Sequence, residues 1–199
     1  MKFATKTIRL ILFLSFIILF TRCDNNPPVI DKFTKEYSLV NQNGKQVDFP
    51  QIIKGKITVV GYIYTNCPDI CPLTTNNMQR IQKEIAKDNI KNVEFVSISF
   101  DPVTDTPEVL RKYAEIRNLN LDNWVFLTGQ KTVIDSLIKQ AGVFAAISDS
   151  TVLTSGKKTY YYVHTDRIQL LDEDGNILKN YSGSRININE IVADIKKLS

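Results

Sequence analysis

Two continuous apolar segments constrain the fold of this chain more than any other feature. Residues 57–64 read ITVVGYIY and residues 93–100 read VEFVSISF, and both segments are rich in β-branched and aromatic side chains. Such runs are typical of strands that are buried on both faces of a parallel sheet. Between them, Met78, Ile81 and Ile85 recur at helical spacing. A strand, a helix and a second strand in succession predict an α/β domain built on a central sheet.

The remaining segments continue the alternation of strands and helices. Thr106-Pro107-Glu108 forms a strong helix start, with a hydroxyl cap, a proline at the first position and an acidic first turn. Asn43-Gly44 between two short extended segments predicts a β-hairpin extension near the N-terminus. The polar segment 146–158 is interpreted as an irregular loop. Helices are predicted over residues 72–87, 108–117, 132–140 and a final stretch ending near 198, and further strands over residues 124–127, 160–163, 167–171 and 177–181. The predicted fold is therefore α/β, with a central mixed sheet flanked by helices and an N-terminal hairpin.

The N-terminal segment has the organisation of a targeting sequence. Lys2, Lys6 and Arg9 precede an apolar run over residues 10–20. As a helix this run is roughly 16 Å long, which is short for a hydrocarbon core of about 30 Å and fits the central region of a signal peptide. Residues 1–22 are therefore predicted to be a signal peptide or membrane anchor, residues 23–35 a polar tether, and residues 36–199 the folded domain.

Cys23 directly follows this segment and resembles the lipid-attachment cysteine of a bacterial lipoprotein. Arg22, however, stands where lipoprotein signals normally carry a small residue. Two interpretations remain open: lipidation of Cys23, or an uncleaved anchor in which Cys23 has no role. Both predict an exported protein held to a membrane by its N-terminus, with its domain facing the periplasm or the outer side of the cytoplasmic membrane. Export would also place the remaining cysteines in an oxidising compartment.

The net charge of the chain comes from the same targeting segment. The 199 residues carry 25 Lys+Arg and 21 Asp+Glu, which gives a formal net charge of +4. Residues 1–22 contain four basic residues and no acidic residue, so the rest of the chain is neutral. The composition therefore predicts no nucleic-acid-binding surface.

Cys67 and Cys71 lie four residues apart in the loop CPDICP, between the first buried strand and the following helix. If Cys71 lies in the first helical turn, this spacing brings both sulfurs to one face. A helix N-terminus favours the thiolate form, which is the better nucleophile and metal ligand. Two thiolates suit Cu(I), and suit Zn(II) with less preference. The alternative interpretation is an inert structural disulfide.

A site with two sulfurs needs a further ligand, and the composition leaves few choices. His164 is the only histidine, and Met1 and Met78 are the only methionines. His164 lies at the break between two extended segments, where a turn can face the cysteine loop. Imidazole with two thiolates would give a three-coordinate site suited to Cu(I) and adaptable to Cu(II). Without further context, His164 could equally be a half-buried residue that satisfies its own hydrogen bonds.

Several motifs together resemble the Sco/SenC family of copper-binding proteins over roughly residues 33–198. They are GYIYTNCPDICP followed by TTNNM, then VSISFDP, DTPEVL, WVFLTG and YVHT, in the order of the family. The resemblance implies a thioredoxin-like fold and one copper per chain, as Cu(I) or Cu(II), bound by Cys67, Cys71 and His164. It also implies a role in assembling the Cu-A site in subunit II of cytochrome c oxidase, loaded from an unknown copper donor.

Three residues bear on how closely the chain follows the family pattern. Val163 stands where family members usually carry Asp, and Asp166 stands where they carry an apolar residue. Asp101 matches a family motif, and we expect a structural or partner-facing role for it rather than a role as a ligand.

Three function classes compete for the same residues. The first is a copper metallochaperone. The second is a dedicated thiol–disulfide oxidoreductase in which Cys67 and Cys71 form the redox pair and keep the Cu-A cysteines reduced. A broad reductase is disfavoured, since thioredoxin-type enzymes resemble a CxxC pattern with a later cis-proline, and the last proline here is Pro107. The third is a peroxiredoxin-type peroxidase, for which the CPDICP loop lacks the threonine and arginine arrangement. Whether the protein is an enzyme stays open.

Overall fold

A mixed sheet of eight strands forms the centre of the computed structural model, which describes residues 27–152 and 158–199. The predicted targeting segment and Cys23 lie outside the described residues. The strands are β1 (Asp31–Lys32), β2 (Tyr37–Asn41), β3 (Gln46–Phe49), β4 (Ile57–Ile63), β5 (Val93–Ser99), β6 (Trp124–Thr128), β7 (Ala145–Val152), β8 (Lys158–His164), β9 (Ile168–Leu171) and β10 (Asn176–Tyr181). The helices are α1 (Ile70–Lys87), α2 (Pro107–Ile116), α3 (Lys131–Gln140) and α4 (Ile188–Leu198), and a single 3-10 turn covers Gln51–Ile53. Within the described part of the chain, no helix is long and apolar enough to span a membrane.

The parallel core of the sheet consists of β4, β5 and β6. Ile57 of β4 pairs with Val93 of β5, and Phe95 of β5 pairs with Trp124 of β6, both in parallel register. Every residue of β4 is buried, as its continuous apolar sequence predicts. Helix α1 packs on β4 and contacts α4, while α2 packs on β6 and α3 on β2. The sheet order is β1-β10-β9-β4-β5-β6-β2-β3, which confirms the predicted mixed α/β architecture.

Antiparallel strands complete both sides of this core. On one side, β9 pairs with β4 and β10 pairs with β9. On the other, the predicted N-terminal hairpin is present as β2 and β3, and β2 joins the central sheet through β6. Gly44 takes the left-handed conformation required at its turn, with φ of 76°. The last residues of the predicted tether also join the sheet, because Asp31 and Lys32 pair with β10 and Phe33 is buried behind them.

A second, two-stranded sheet formed by β7 and β8 lies apart from the central one. The interpretation of residues 146–158 as an irregular loop is wrong for its first part, since Ala145–Val152 forms strand β7. The polar residues of β7 pair antiparallel with the tyrosine-rich β8, so cross-strand pairing outweighs the low strand propensity of Ser and Asp. This hairpin carries His164 at the end of β8, opposite Ala145.

Candidate metal centre

The two cysteines of the CPDICP loop meet at the N-terminus of α1. The helix begins at Ile70, so Cys71 lies in its first turn and Cys67 lies in the loop before it. The backbone N–H of Cys71 donates to Cys67 Sγ at 3.4 Å, and the N–H of Tyr64 donates to Cys71 Sγ at 3.5 Å. Amide donors therefore face both sulfurs, which favours negative charge on them. Cys71 is buried, Cys67 is partly exposed, and both are free thiols.

His164 reaches the same point from the β7–β8 hairpin. Its Nε2 lies 3.7 Å from Cys71 Sγ, and its Nδ1 lies 3.2 Å from the backbone carbonyl oxygen of Thr165. A proton on Nδ1 that is donated to this carbonyl leaves Nε2 free as a ligand atom. The imidazole also packs against the rings of Phe100 and Tyr64, at centroid distances of 4.9 Å and 6.0 Å. These contacts hold the ring over the cysteine loop.

The ligand atoms of Cys67, Cys71 and His164 all lie within 4.8 Å of one another. Nitrogen and sulfur ligands bound to one ion at about 2.0–2.3 Å, with an open three-coordinate angle, lie roughly 3.7 Å apart. The distance between Cys71 Sγ and His164 Nε2 has this value. Two soft sulfurs and one imidazole are a donor set that fits copper, and Zn(II) with less preference. The structure thus brings together the three residues that the sequence analysis singled out.

The two thiols have opposite protonation preferences. The Cys71 thiol donates a hydrogen bond to Cys67 and holds the pKa of Cys67 well below its usual range, against burial and with further help from His164. The pKa of Cys71 is raised, first because Cys71 is the donor in that hydrogen bond and then because it is buried. Burial opposes a charge on His164, but the hydrogen bond to Cys67 raises the His164 pKa overall. Cys67 is therefore the more nucleophilic sulfur.

Asp166 fixes the turn that follows the histidine. Its carboxylate accepts hydrogen bonds from the Ser182 hydroxyl at 2.7 Å and from the Ser184 hydroxyl at 2.7 Å. A Cβ on Gly183 would lie 2.6 Å from Asp166 Oδ1 and 2.6 Å from Thr74 Oγ1, so a larger residue there would displace these side chains. Asp166 therefore ties the turn after β8 to the loop after β10. Val163, on the other side of His164, is 58% exposed and makes the outer surface here apolar.

Sequence reasoning missed Asp105, Tyr160 and Tyr162, whereas Asp101 has a structural role of the kind that was expected for it. Asp105 is fully buried and accepts hydrogen bonds from Thr65, and Asp101 accepts hydrogen bonds from Tyr160 and Tyr162. One signal was available in the sequence: Tyr160, Tyr162 and His164 recur at every second position, which places them on one face of a strand.

A family model described as SCO1/SenC matches residues 26–199 of the chain. Among relatives of known sequence, the SCO1 protein homolog of Bacillus subtilis is 34% identical over 164 residues, which cover 82% of this chain and 81% of the relative. The match to the family model therefore includes every residue of the candidate metal centre.

Solved Sco structures resemble the fold over most of its length. The copper-bound ScoI of Bradyrhizobium japonicum is 29% identical with a TM-score of 0.70, covering 83% of this chain and 98% of that one. A SCO1/SenC family lipoprotein of Bacillus anthracis is also 29% identical, with a TM-score of 0.71 and coverage of 87% and 98%. A third neighbour is BsSco, which is described as a member of the Sco family of cytochrome c oxidase assembly proteins that contains a disulfide switch. It is 29% identical with a TM-score of 0.70, covering 87% of this chain and 98% of that one. These neighbours confirm the thioredoxin-like α/β fold, and the chain belongs to the SCO1/SenC family.

Proposed function

We propose that this protein binds one copper ion through Cys67, Cys71 and His164 and delivers it to the Cu-A site of cytochrome c oxidase subunit II. The observation that carries the proposal is the convergence of two sulfurs and one imidazole nitrogen within 4.8 Å. The copper-bound ScoI neighbour and the oxidase-assembly family of BsSco support it. Cu(I) is the favoured cargo state because two soft sulfurs dominate the donor set.

The three ligands have different parts in holding and releasing the cargo. Cys71 is buried beneath the loop and provides the deep sulfur, whereas Cys67 is partly exposed. His164 is half-buried and belongs to a separate hairpin. An incoming thiolate of the partner can therefore approach on the side of Cys67, and a low coordination number leaves room for ligand exchange.

A second candidate function uses the same sulfurs as a dedicated thiol–disulfide reductase. It is favoured by the lowered pKa of Cys67, which the Cys71 thiol and His164 stabilise as a thiolate against burial. The Cys67 thiolate attacks one sulfur of the target disulfide and releases the other as a thiolate. Cys71 then loses its proton and attacks Cys67, which frees the second target thiolate and leaves a Cys67–Cys71 disulfide. Two electrons pass to the target, and an external dithiol must restore the protein.

The location proposed for this activity is the outer side of a membrane. The basic and apolar segment of residues 1–22, followed by Cys23, supports export and anchoring at the N-terminus. The Bacillus anthracis neighbour is a lipoprotein, which agrees with the proposed lipidation of Cys23. The copper donor is unknown.

A transfer experiment with the soluble domain of subunit II separates the two functions. Copper-loaded protein mixed with the reduced, metal-free subunit should lose its copper to the subunit, which metal analysis of the two separated proteins measures. Metal-free, reduced protein mixed with the oxidised subunit should generate free thiols in the subunit only if the reductase function holds. Absence of copper transfer in the first mixture would contradict the metallochaperone proposal.

A further inference from the structure

The candidate metal centre is assembled from two arms that belong to different sheets. Cys67 and Cys71 follow β4 of the central sheet, whereas His164 ends β8 of the two-stranded sheet. No described strand of the hairpin pairs with the central sheet, so ladder hydrogen bonds do not fix the histidine arm relative to the cysteine arm. Side-chain contacts, together with the short link from His164 to Ile168 of β9, therefore set the distance between the imidazole and the sulfurs.

Asp105 holds the cysteine arm. It is fully buried, and its carboxylate accepts hydrogen bonds from the Thr65 amide at 3.0 Å and from the Thr65 hydroxyl at 2.5 Å. The Ser99 hydroxyl donates to the same carboxylate at 2.5 Å. Thr65 is two residues before Cys67, so these bonds fix the point at which the chain leaves β4 for the cysteine loop.

Asp101 holds the histidine arm. It is 1% exposed, and its carboxylate accepts hydrogen bonds from the Tyr160 hydroxyl at 2.9 Å and from the Tyr162 hydroxyl at 3.4 Å. Tyr162 also donates its backbone N–H to the Tyr64 hydroxyl at 3.4 Å. Tyr160 and Tyr162 share the inner face of β8 with His164, because alternate residues of a strand point to the same side.

The two carboxylates belong to one closed turn after β5. The backbone N–H of Asp105 donates to the carbonyl of Asp101 at 2.9 Å. The Ser99 hydroxyl donates to Asp105 and accepts from the amide of Asp101 at 3.1 Å, so it joins the two ends of the turn. A buried carboxylate without partners is strongly unfavourable, so each carboxylate holds its hydroxyl donors in place.

We propose that Asp101 and Asp105 are positioning residues that together set the separation between His164 and the two cysteine sulfurs. Asp105 fixes the cysteine arm, and Asp101 fixes the histidine arm through two tyrosine hydroxyls. This inference rests on the proposed copper binding, because the distance that it concerns is the distance between metal ligands. It gives the turn of residues 101–105 a function in which neither carboxylate binds the metal.

The test removes the two hydroxyls that connect Asp101 to the hairpin; that of Tyr160 also forms a 2.9 Å hydrogen bond with the Thr104 hydroxyl of the same turn. The double variant Tyr160→Phe/Tyr162→Phe keeps the aromatic packing, and Tyr161→Phe is the matched control because Tyr161 lies between them and faces outward, 40% exposed. Cu(I) affinity is measured by competition with a chromophoric chelator, on the full chain in detergent with Cys23→Ser to remove the third thiol. Outer-shell partners of metal ligands typically change affinity by roughly 10- to 100-fold, so we expect at least about a 10-fold loss in the double variant and none in the control.

A double-mutant cycle separates positioning from general destabilisation. In a His164→Ala background the two Tyr→Phe changes should alter Cu(I) affinity by less than about 2-fold, since the arm that they hold no longer carries a ligand. Thr65→Val removes a hydroxyl that donates to Asp105, so it should weaken Cu(I) binding in both backgrounds. In the metal-free protein, hydrogen exchange of the β8 amides should accelerate in the double Tyr variant and stay unchanged in the control.

Each outcome decides the inference. A loss of affinity that needs His164, with faster exchange in β8, supports the positioning role. An equal loss in both backgrounds, or no loss while the parent protein binds copper tightly, overturns it and leaves the proposed function intact. A parent protein that binds no copper overturns the proposed function, and the positioning role with it.

Discussion

Replacing His164 by Ala should weaken copper binding and leave the dithiol chemistry in place. The substitution removes one of three ligand atoms that lie within 4.8 Å of one another, and it keeps both sulfurs. Loss of a directly bound ligand should cost at least as much as the loss of an outer-shell partner, so we expect an affinity decrease of about 100-fold, or about 2.7 kcal/mol. The decrease should be larger for Cu(II) than for Cu(I), because Cu(II) depends more on nitrogen ligands.

The effect on folding should be small in comparison. The imidazole packs against Phe100 at 4.9 Å but is only half-buried, so truncation should cost about 1 kcal/mol, or a 2–4 °C decrease in Tm. Val163→Ala is the matched control, since Val163 is its neighbour on the strand and is 58% exposed. Competition titrations with Cu(I) and electron paramagnetic resonance with Cu(II) measure the affinities. Wild-type copper affinity in His164→Ala would refute the three-ligand site.

Three further changes test other parts of the structure. Burial opposes the charge of Asp194, but hydrogen bonds from Lys179 and other donors lower its pKa to about 2. The ionised carboxylate therefore stabilises the folded state above about pH 4, and this contribution to the free energy of unfolding is lost as the pH falls towards 2. Asp194→Asn should cost about 1–2 kcal/mol at pH 7 and flatten the acid limb of the unfolding curve, whereas an unchanged limb would contradict this ion-pair account. Gly61→Ala should cost about 1–3 kcal/mol in urea unfolding, since the added Cβ would overlap Met78, and a change below about 0.5 kcal/mol would show that the core accommodates it. Mass spectrometry of the exported protein should find a diacylated or triacylated Cys23 at the new N-terminus, and an intact Met1 would contradict lipidation.

The fold was predictable because its central strands and helices have unambiguous local patterns. The continuous apolar run of β4 and the Thr106-Pro107 helix start both appear as expected, and the Thr106 hydroxyl accepts a hydrogen bond from the Val109 amide. Strand β7 was not predictable in this way. Its Ser and Asp residues have low strand propensity, and it is pairing with β8 that makes the segment a strand.

The candidate site was likewise predictable only where the information is local in sequence. The spacing of Cys67 and Cys71 before a helix is local information, so the sequence could place both sulfurs at one helix N-terminus. The proximity of His164 is a property of the tertiary structure, and the sequence supplied it only through the scarcity of other ligands and the family resemblance. The hydrogen bonds of Asp101 with Tyr160 and Tyr162 connect segments far apart in the chain, and no local pattern encodes them.

Metal analysis of the reduced and the oxidised protein tests the central claim most directly. A Cys67–Cys71 disulfide supplies no thiolate, so copper binding by these two sulfurs requires the reduced state. With Cys23→Ser in place, the reduced protein should hold about one copper per chain after desalting, and the oxidised protein should hold less than about a tenth of that. An oxidised protein that retains its full copper content would contradict the proposed site.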